Sequence, residues 1–197
     1  MQVSRRVVLG AAMAAATGVR AADSPLTPRT VGNPDAKVHV VEYFSLTCTH
    51  CAEFQRVTFP QIKRELIDTG KVQWEWQDFP LDKVALAAAA VARALPPQQY
   101  EPFISALLGT QDKWAFARGA DTTEELAKMA ALAGMPRAAF DKAVGDEAVQ
   151  KAILTAQDQA EKEHDVSSTP TFLINGKPLV GAVDYATFLQ AVNAAQS

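Results

Sequence analysis

Only two of the 197 residues are cysteine, and only three, His39, His50 and His164, are histidine. Two cysteines exclude a scaffold stapled by several disulfides. They also leave a structural zinc site short, since that chemistry wants about four ligands and His39 falls within a strand pattern. An excess of positive charge is missing too. The formal net charge is −3, so there is no basic footprint for nucleic acid. No Gly-rich phosphate loop is present, so no organic cofactor is expected, and no metal. The apolar run Val7–Val19 is too short to cross a bilayer comfortably.

What the chain does have is both cysteines at close spacing. They lie in Glu42-Tyr43-Phe44-Ser45-Leu46-Thr47-Cys48-Thr49-His50-Cys51. Before Cys48, Val38, Val40, Glu42 and Phe44 alternate with His39, Val41 and Tyr43, a central-strand pattern apolar on both faces. Glu42 is the misfit, because a carboxylate on that face is costly to ionise. After Cys51 the sequence turns helical. Cys48 therefore belongs at a helix N-terminus, where unpaired N–H groups and the helix dipole favour a thiolate. His50 stands between the thiols as a hydrogen-bond donor or a charge. Both effects should lower Cys48 from its free pKa of ~8.5, which makes the disulfide form the stronger oxidant. A disulfide with a purely structural role would close a tiny loop and stabilise little.

A second stretch, Ser167-Ser168-Thr169-Pro170-Thr171-Phe172-Leu173-Ile174, puts a proline directly before an apolar strand. Together the two stretches resemble the thioredoxin fold and, within it, the DsbA-like periplasmic thiol oxidoreductases. The resemblance implies a role for each matching residue. Cys48 would be the nucleophile and Cys51 the buried resolving thiol. Thr169 and a cis-Pro170 would pack against the disulfide and contact substrate backbone. Glu42 would assist proton movement at Cys51. Thr49 stands where the best-known member has a proline. Thr49 and His50 form the dipeptide that tunes the potential.

The rest of the chain fits that order. Val72, Trp74 and Trp76 alternate as a second strand, with both tryptophans expected in the core. A helix is expected from about 49 to 69, kinked or restarted at Pro60 and capped near Gly70. Residues 81–165 read as alanine-rich helices, with Thr122-Thr123-Glu124-Glu125 as a capping box and His164 as a partner for the last helix dipole. Asn175-Gly176 signals a hairpin, and Asp184 caps a final helix. The expected architecture is α/β, a thioredoxin-like domain over 36–80 and 166–197, interrupted by an all-helical insertion over 81–165. Asp23 to Asp35 reads as an extended lead-in and turn.

Residues 1–22 read as an export signal: Ser4-Arg5-Arg6, an apolar run, then small residues for cleavage. The start also resembles a twin-arginine signal, departing from it at Val8 and Gly10, so both export routes stay open. Removing residues 1–22 leaves a formal charge of −6. The function expected is an exported, periplasmic thiol:disulfide oxidoreductase acting on reduced proteins. The resemblance implies a DsbB-type membrane partner for reoxidation. Few residues precede the first strand, which argues against an N-terminal dimerisation domain, so a monomer is expected. A reductase or isomerase of the same fold, or a binding module with a structural CxxC, remain as alternatives.

Overall fold

The computed structural model describes residues 26–196. The export-signal reading of residues 1–22 lies outside the described residues. Among the described residues the sheet has five strands: β1 Arg29–Gly32, β2 Val38–Phe44, β3 Val72–Asp78, β4 Thr171–Ile174 and β5 Lys177–Val180, in the order β1-β3-β2-β4-β5. Only β2 and β3 run parallel, and the register sets Glu42 opposite Trp76. The other pairings are antiparallel. This is the thioredoxin-like α/β architecture.

β1 lies before residue 36, where the domain was expected to begin. The stretch read as an extended lead-in is a strand paired with β3, Arg29 opposite Trp76. Four residues are too few to show a period in a Pro-rich context. Gly32 ends β1 at φ +90°, and a Cβ there would run into the Val72 carbonyl oxygen. Gly32→Ala is expected to destabilise by at least about 1–2 kcal/mol, the left-handed conformation alone costing that much. A urea unfolding midpoint checks this.

β2 leads through a turn into α1 Thr49–Val57. The helix ends at Thr58 and restarts as α2 Phe59–Ile62, with Pro60 in its first turn, where its missing N–H costs nothing. A π-helical turn, Lys63–Ile67, follows. Between β3 and β4 stand six helices: α3 Lys83–Ala94, α4 Pro97–Gly109, α5 Gln111–Trp114, α6 Thr122–Leu132, α7 Arg137–Val144 and α8 Glu147–His164. The cap of α6 is Asp121, which accepts from the Thr123 and Glu124 N–H groups, rather than Thr122. The last helix, α9 Tyr185–Ala195, is capped by Asp184. Among the described residues no helix is long and apolar enough to cross a membrane.

One face of the sheet carries a buried aromatic cluster of Phe54, Phe59, Trp74, Trp76, Phe172 and Phe188. The Phe54 and Phe172 rings are 4.6 Å apart. Each such side chain contributes about 1.5–3 kcal/mol on burial. The cluster clamps α1 and α9 onto the sheet and fixes the helix that carries the cysteines. On the other face Tyr43, Phe79, Ala160, Val166 and Leu173 form a smaller core beneath α8. The six-helix stretch is anchored to the sheet by a buried ion pair, Arg93 Nε donating to Asp78 Oδ2 at 2.6 Å. Tyr100 also donates to Asp78, at 3.1 Å.

Candidate active site

The chain leaves β2 through a tight turn in which the Cys48 N–H donates to the Ser45 carbonyl at 3.1 Å. Polar side chains hold the turn. Thr47 Oγ1 donates to Asp82 Oδ2 at 2.7 Å. Ser45 and Thr47 hydroxyls share a 3.2 Å hydrogen bond. Asp82 also caps α3 by accepting from the Ala85 N–H. The turn and the six-helix stretch are thus tied together beside the first cysteine.

Cys48 is the N-cap of α1, and its Sγ accepts from the Cys51 N–H at 3.2 Å. That position normally takes a hydroxyl or carboxylate, because the helix end leaves N–H groups unpaired. A thiolate there is stabilised in the same way. The hydrogen bond from the Cys51 thiol is the largest influence, and it outweighs burial. The Thr169 side chain and the main-chain N–H groups of Cys51 and His50 add to it, holding the Cys48 pKa at about 5. Cys51 has no exposed surface. Burial pushes its thiol well above its ordinary value, helped by the hydrogen bond to Cys48 and by the charges of Cys48 and Glu42. Both cysteines are free thiols.

Thr169 closes the site from the opposite side. The Cys48 thiol donates to the Thr169 carbonyl at 3.3 Å. The buried Thr169 hydroxyl has no hydrogen-bond partner, so it can turn to a thiolate that can no longer donate. The Thr169–Pro170 peptide bond is cis. Glu42 lies beneath, 1 % exposed. Burial raises its carboxyl to about 8, the nearby Cys48 adds to that, and the Trp74 and Trp76 indoles offset it in part. Trp74 and Trp76 Nε1 and Glu42 Oε2 are all buried without a hydrogen-bond partner in range, so the indoles act on the carboxyl from beyond bonding distance and burial prevails.

Cys48, Cys51, Glu42, Thr169 and Pro170 are therefore brought together. Thr49 and His50 are exposed on the first turn of α1. The His50 main-chain N–H is one of the groups that lower Cys48. His164 is exposed in the last turn of α8. Sequence reasoning missed Gln111, the first residue of α5, whose buried amide reaches the active-site turn. A lone glutamine more than sixty residues downstream carries no signal. Among the described residues no group of three or more His, Cys, Asp or Glu side chains is placed to hold a metal ion.

A family model described as Thioredoxin matches residues 24–194. The chain belongs to the thioredoxin family. Its relatives place it in the DsbA-like branch. A Rickettsia prowazekii protein named a protein-disulfide oxidoreductase is 31 % identical over 147 residues, 74 % of this chain and 53 % of that protein. The chain thus spans about half the length of that relative. The thiol:disulfide interchange protein DsbA of Bordetella parapertussis is 27 % identical over 182 residues, 85 % of this chain and 79 % of its own. The crystal structure of Wolbachia pipientis alpha-DsbA1 superposes with a TM-score of 0.79 at 29 % identity, covering 86 % of this chain and 90 % of that one.

Proposed function

We propose that this protein is an exported thiol:disulfide oxidoreductase that passes its Cys48–Cys51 disulfide to reduced protein thiols. The observation that carries the reading is the split between the two thiols: Cys48 held at about 5 at a helix N-cap, Cys51 buried and pushed upward. A substrate thiolate attacks Cys48 Sγ and breaks the Cys48–Cys51 bond. Cys51 departs as a thiolate and takes up a proton, since burial disfavours its charge. Glu42, neutral below about pH 8, is the proton source. A second substrate thiolate then attacks the substrate sulfur of the mixed disulfide. Its disulfide forms, and Cys48 leaves as a thiolate with no proton to collect. Two electrons pass from the substrate dithiol to the enzyme. With a pKa near 5, Cys48 is about 99 % ionised at pH 7, which makes it a good leaving group.

In this reading Thr169 and Pro170 receive substrate backbone beside Cys48, and Thr49 and His50 meet the substrate on the exposed rim. Residues 1–22 act as the export signal. Residues 29–80, β1 included, and 166–197 form the catalytic domain, and 81–165 the helical insertion. Reduced exported proteins in the periplasm are the substrates, and a DsbB-type membrane partner restores the disulfide. The DsbA-named relatives and the basic-then-apolar N-terminus support this part.

Equilibration of residues 23–197 with a glutathione buffer tests the function. We expect a potential near −120 mV, the reference for a strong oxidant of this kind, whose reduced form is stabilised. A value near the thioredoxin reference of about −270 mV would make the protein a reductase. Absence of reversible exchange would leave the CxxC structural.

A further inference from the structure

Gln111 opens α5, a single helical turn joined directly to the end of α4. It is buried, 7 % exposed. Its side-chain Nε2 donates to the Leu46 carbonyl at 2.8 Å and to the Cys48 carbonyl at 3.0 Å. Both amide protons are thereby used on the active-site turn. α5 is itself held from behind, because buried Trp114 donates from Nε1 to the Leu107 carbonyl at 2.7 Å. The amide is thus a fixed strut rather than an adaptable contact.

The two carbonyls it grips flank the nucleophile. Leu46 lies in the Ser45–Cys48 turn, so holding its oxygen fixes the Leu46–Thr47 peptide plane. The Cys48 carbonyl also accepts the first intrahelical bond of α1, from Ala52 N–H at 3.1 Å. Holding that oxygen fixes the peptide plane from which the helix starts, and with it the direction of the N–H groups that face Cys48 Sγ. A carbonyl oxygen carries partial negative charge. Without a donor on it, in a low-dielectric site, it works against a neighbouring thiolate.

We propose that Gln111 is a positioning residue for the Cys48 thiolate, through which the six-helix stretch sets the oxidising strength of the dithiol. This rests on the reading of Cys48 and Cys51 as a reactive pair. Gln111 does not titrate. The titratable groups around Cys48 are Cys51, against its sulfur, Glu42 beneath, His50 on the first turn of α1 and Asp82, bonded to Thr47 of the active-site turn, and all four are left intact by a change at Gln111.

The test compares Gln111→Met, which keeps the length and removes both donors, with Gln111→Glu, which would aim a carboxylate at two carbonyl oxygens. The control is Gln150→Met. Gln150 also donates to a main-chain carbonyl within the six-helix stretch, that of Val144 at 2.6 Å, away from the cysteines. Iodoacetamide alkylation of the reduced protein against pH reads the Cys48 thiolate, and glutathione equilibration reads the disulfide. For Gln111→Met we expect the alkylation midpoint to rise by about one pH unit. The equilibrium should shift about tenfold toward the disulfide, about 30 mV for a two-electron couple. Gln111→Glu should shift both at least as far, and Gln150→Met neither. A folded Gln111→Met with the wild-type midpoint and equilibrium overturns the proposal. So does an equal shift in Gln150→Met. If neither Gln111 variant folds, the residue is a stability contact alone and the proposal falls. If the unaltered protein shows no reversible exchange, the dithiol reading fails first, and the inference falls with it.

Discussion

Lowering the pH from 7 to 5 is expected to remove about 2 kcal/mol of stability from the reduced protein that the oxidised protein and Cys48→Ser retain. The sign follows from the direction of the shift. Cys48 is held at about 5 in the folded state, against ~8.5 for a free cysteine. A depressed acid stabilises the fold fully above its unfolded pKa, and the contribution is lost as pH falls through the folded value. Each pH unit in that window is worth at most about 1.36 kcal/mol. Over two pH units the ceiling is ~2.7 kcal/mol, and the curve flattens as pH reaches the folded value of about 5, so a loss of about 2 kcal/mol is expected. The oxidised protein has no thiol to ionise, and a serine hydroxyl does not titrate here. Glu42 titrates oppositely in the same range but is present in all three forms, so it largely cancels. Cys51 stays protonated throughout. Urea midpoints at pH 7 and pH 5 for the three forms measure the effect. Parallel loss in all three would mean an ordinary thiol at Cys48 and a weak oxidant. In turnover, Cys48→Ser is expected to form no mixed disulfide and to oxidise no dithiol.

The parts of this site that the sequence announces are those whose geometry is covalently local. A CxxC at a strand-to-helix junction puts the second cysteine three residues into the helix, where its N–H meets the first sulfur. Cys48 and Cys51 are therefore legible from spacing alone. Glu42 is legible because a carboxylate interrupts an apolar strand, and Thr169-Pro170 because a proline opens one. Long-range closure is not legible. The indoles of Trp74 and Trp76 read as core, and they are core. Their position beside Glu42 depends on the β2–β3 register, which one strand pattern does not contain. Gln111 is fixed by α5 docking on the active-site turn, and nothing in its neighbours marks it. His50 is half legible: its place between the thiols marks it as a donor, and its main-chain N–H does lower Cys48, while its side chain is exposed on the first turn of α1. β1 hides because its partner, Gln73–Trp76, is more than forty residues away.

Glu42→Gln is expected both to stabilise the protein and to slow it. The carboxyl is raised from 4.5 to about 8, chiefly by burial. Between those values the folded state holds a proton that the unfolded chain has released, so stability falls as pH rises through this window. At pH 7 that amounts to about 3 kcal/mol against the fold, at about 1.36 kcal/mol per pH unit. Glutamine has nearly the same shape and no charge to strand. The variant should therefore gain about 2–3 kcal/mol at pH 7 and almost nothing at pH 4. Kinetically, the departing Cys51 thiolate is buried and its thiol pKa is raised, so it leaves well only if a proton reaches it. Removing a positioned acid costs roughly 10²-fold in such a step. The loss should be full below pH 8 and shrink above it, where Glu42 itself ionises in the unaltered protein. Stopped-flow fluorescence of the oxidised protein mixed with a reduced peptide reads the step, and urea unfolding reads the stability. A variant that is stabilised but not slowed would mean that solvent supplies the proton and Glu42 is only a buried acid. A variant that is slowed with no gain in stability would mean that the carboxyl is already solvated in the fold. If both effects appear together, their common origin is burial: the same desolvation that weakens the fold keeps the proton on Glu42 at neutral pH, where Cys51 needs it.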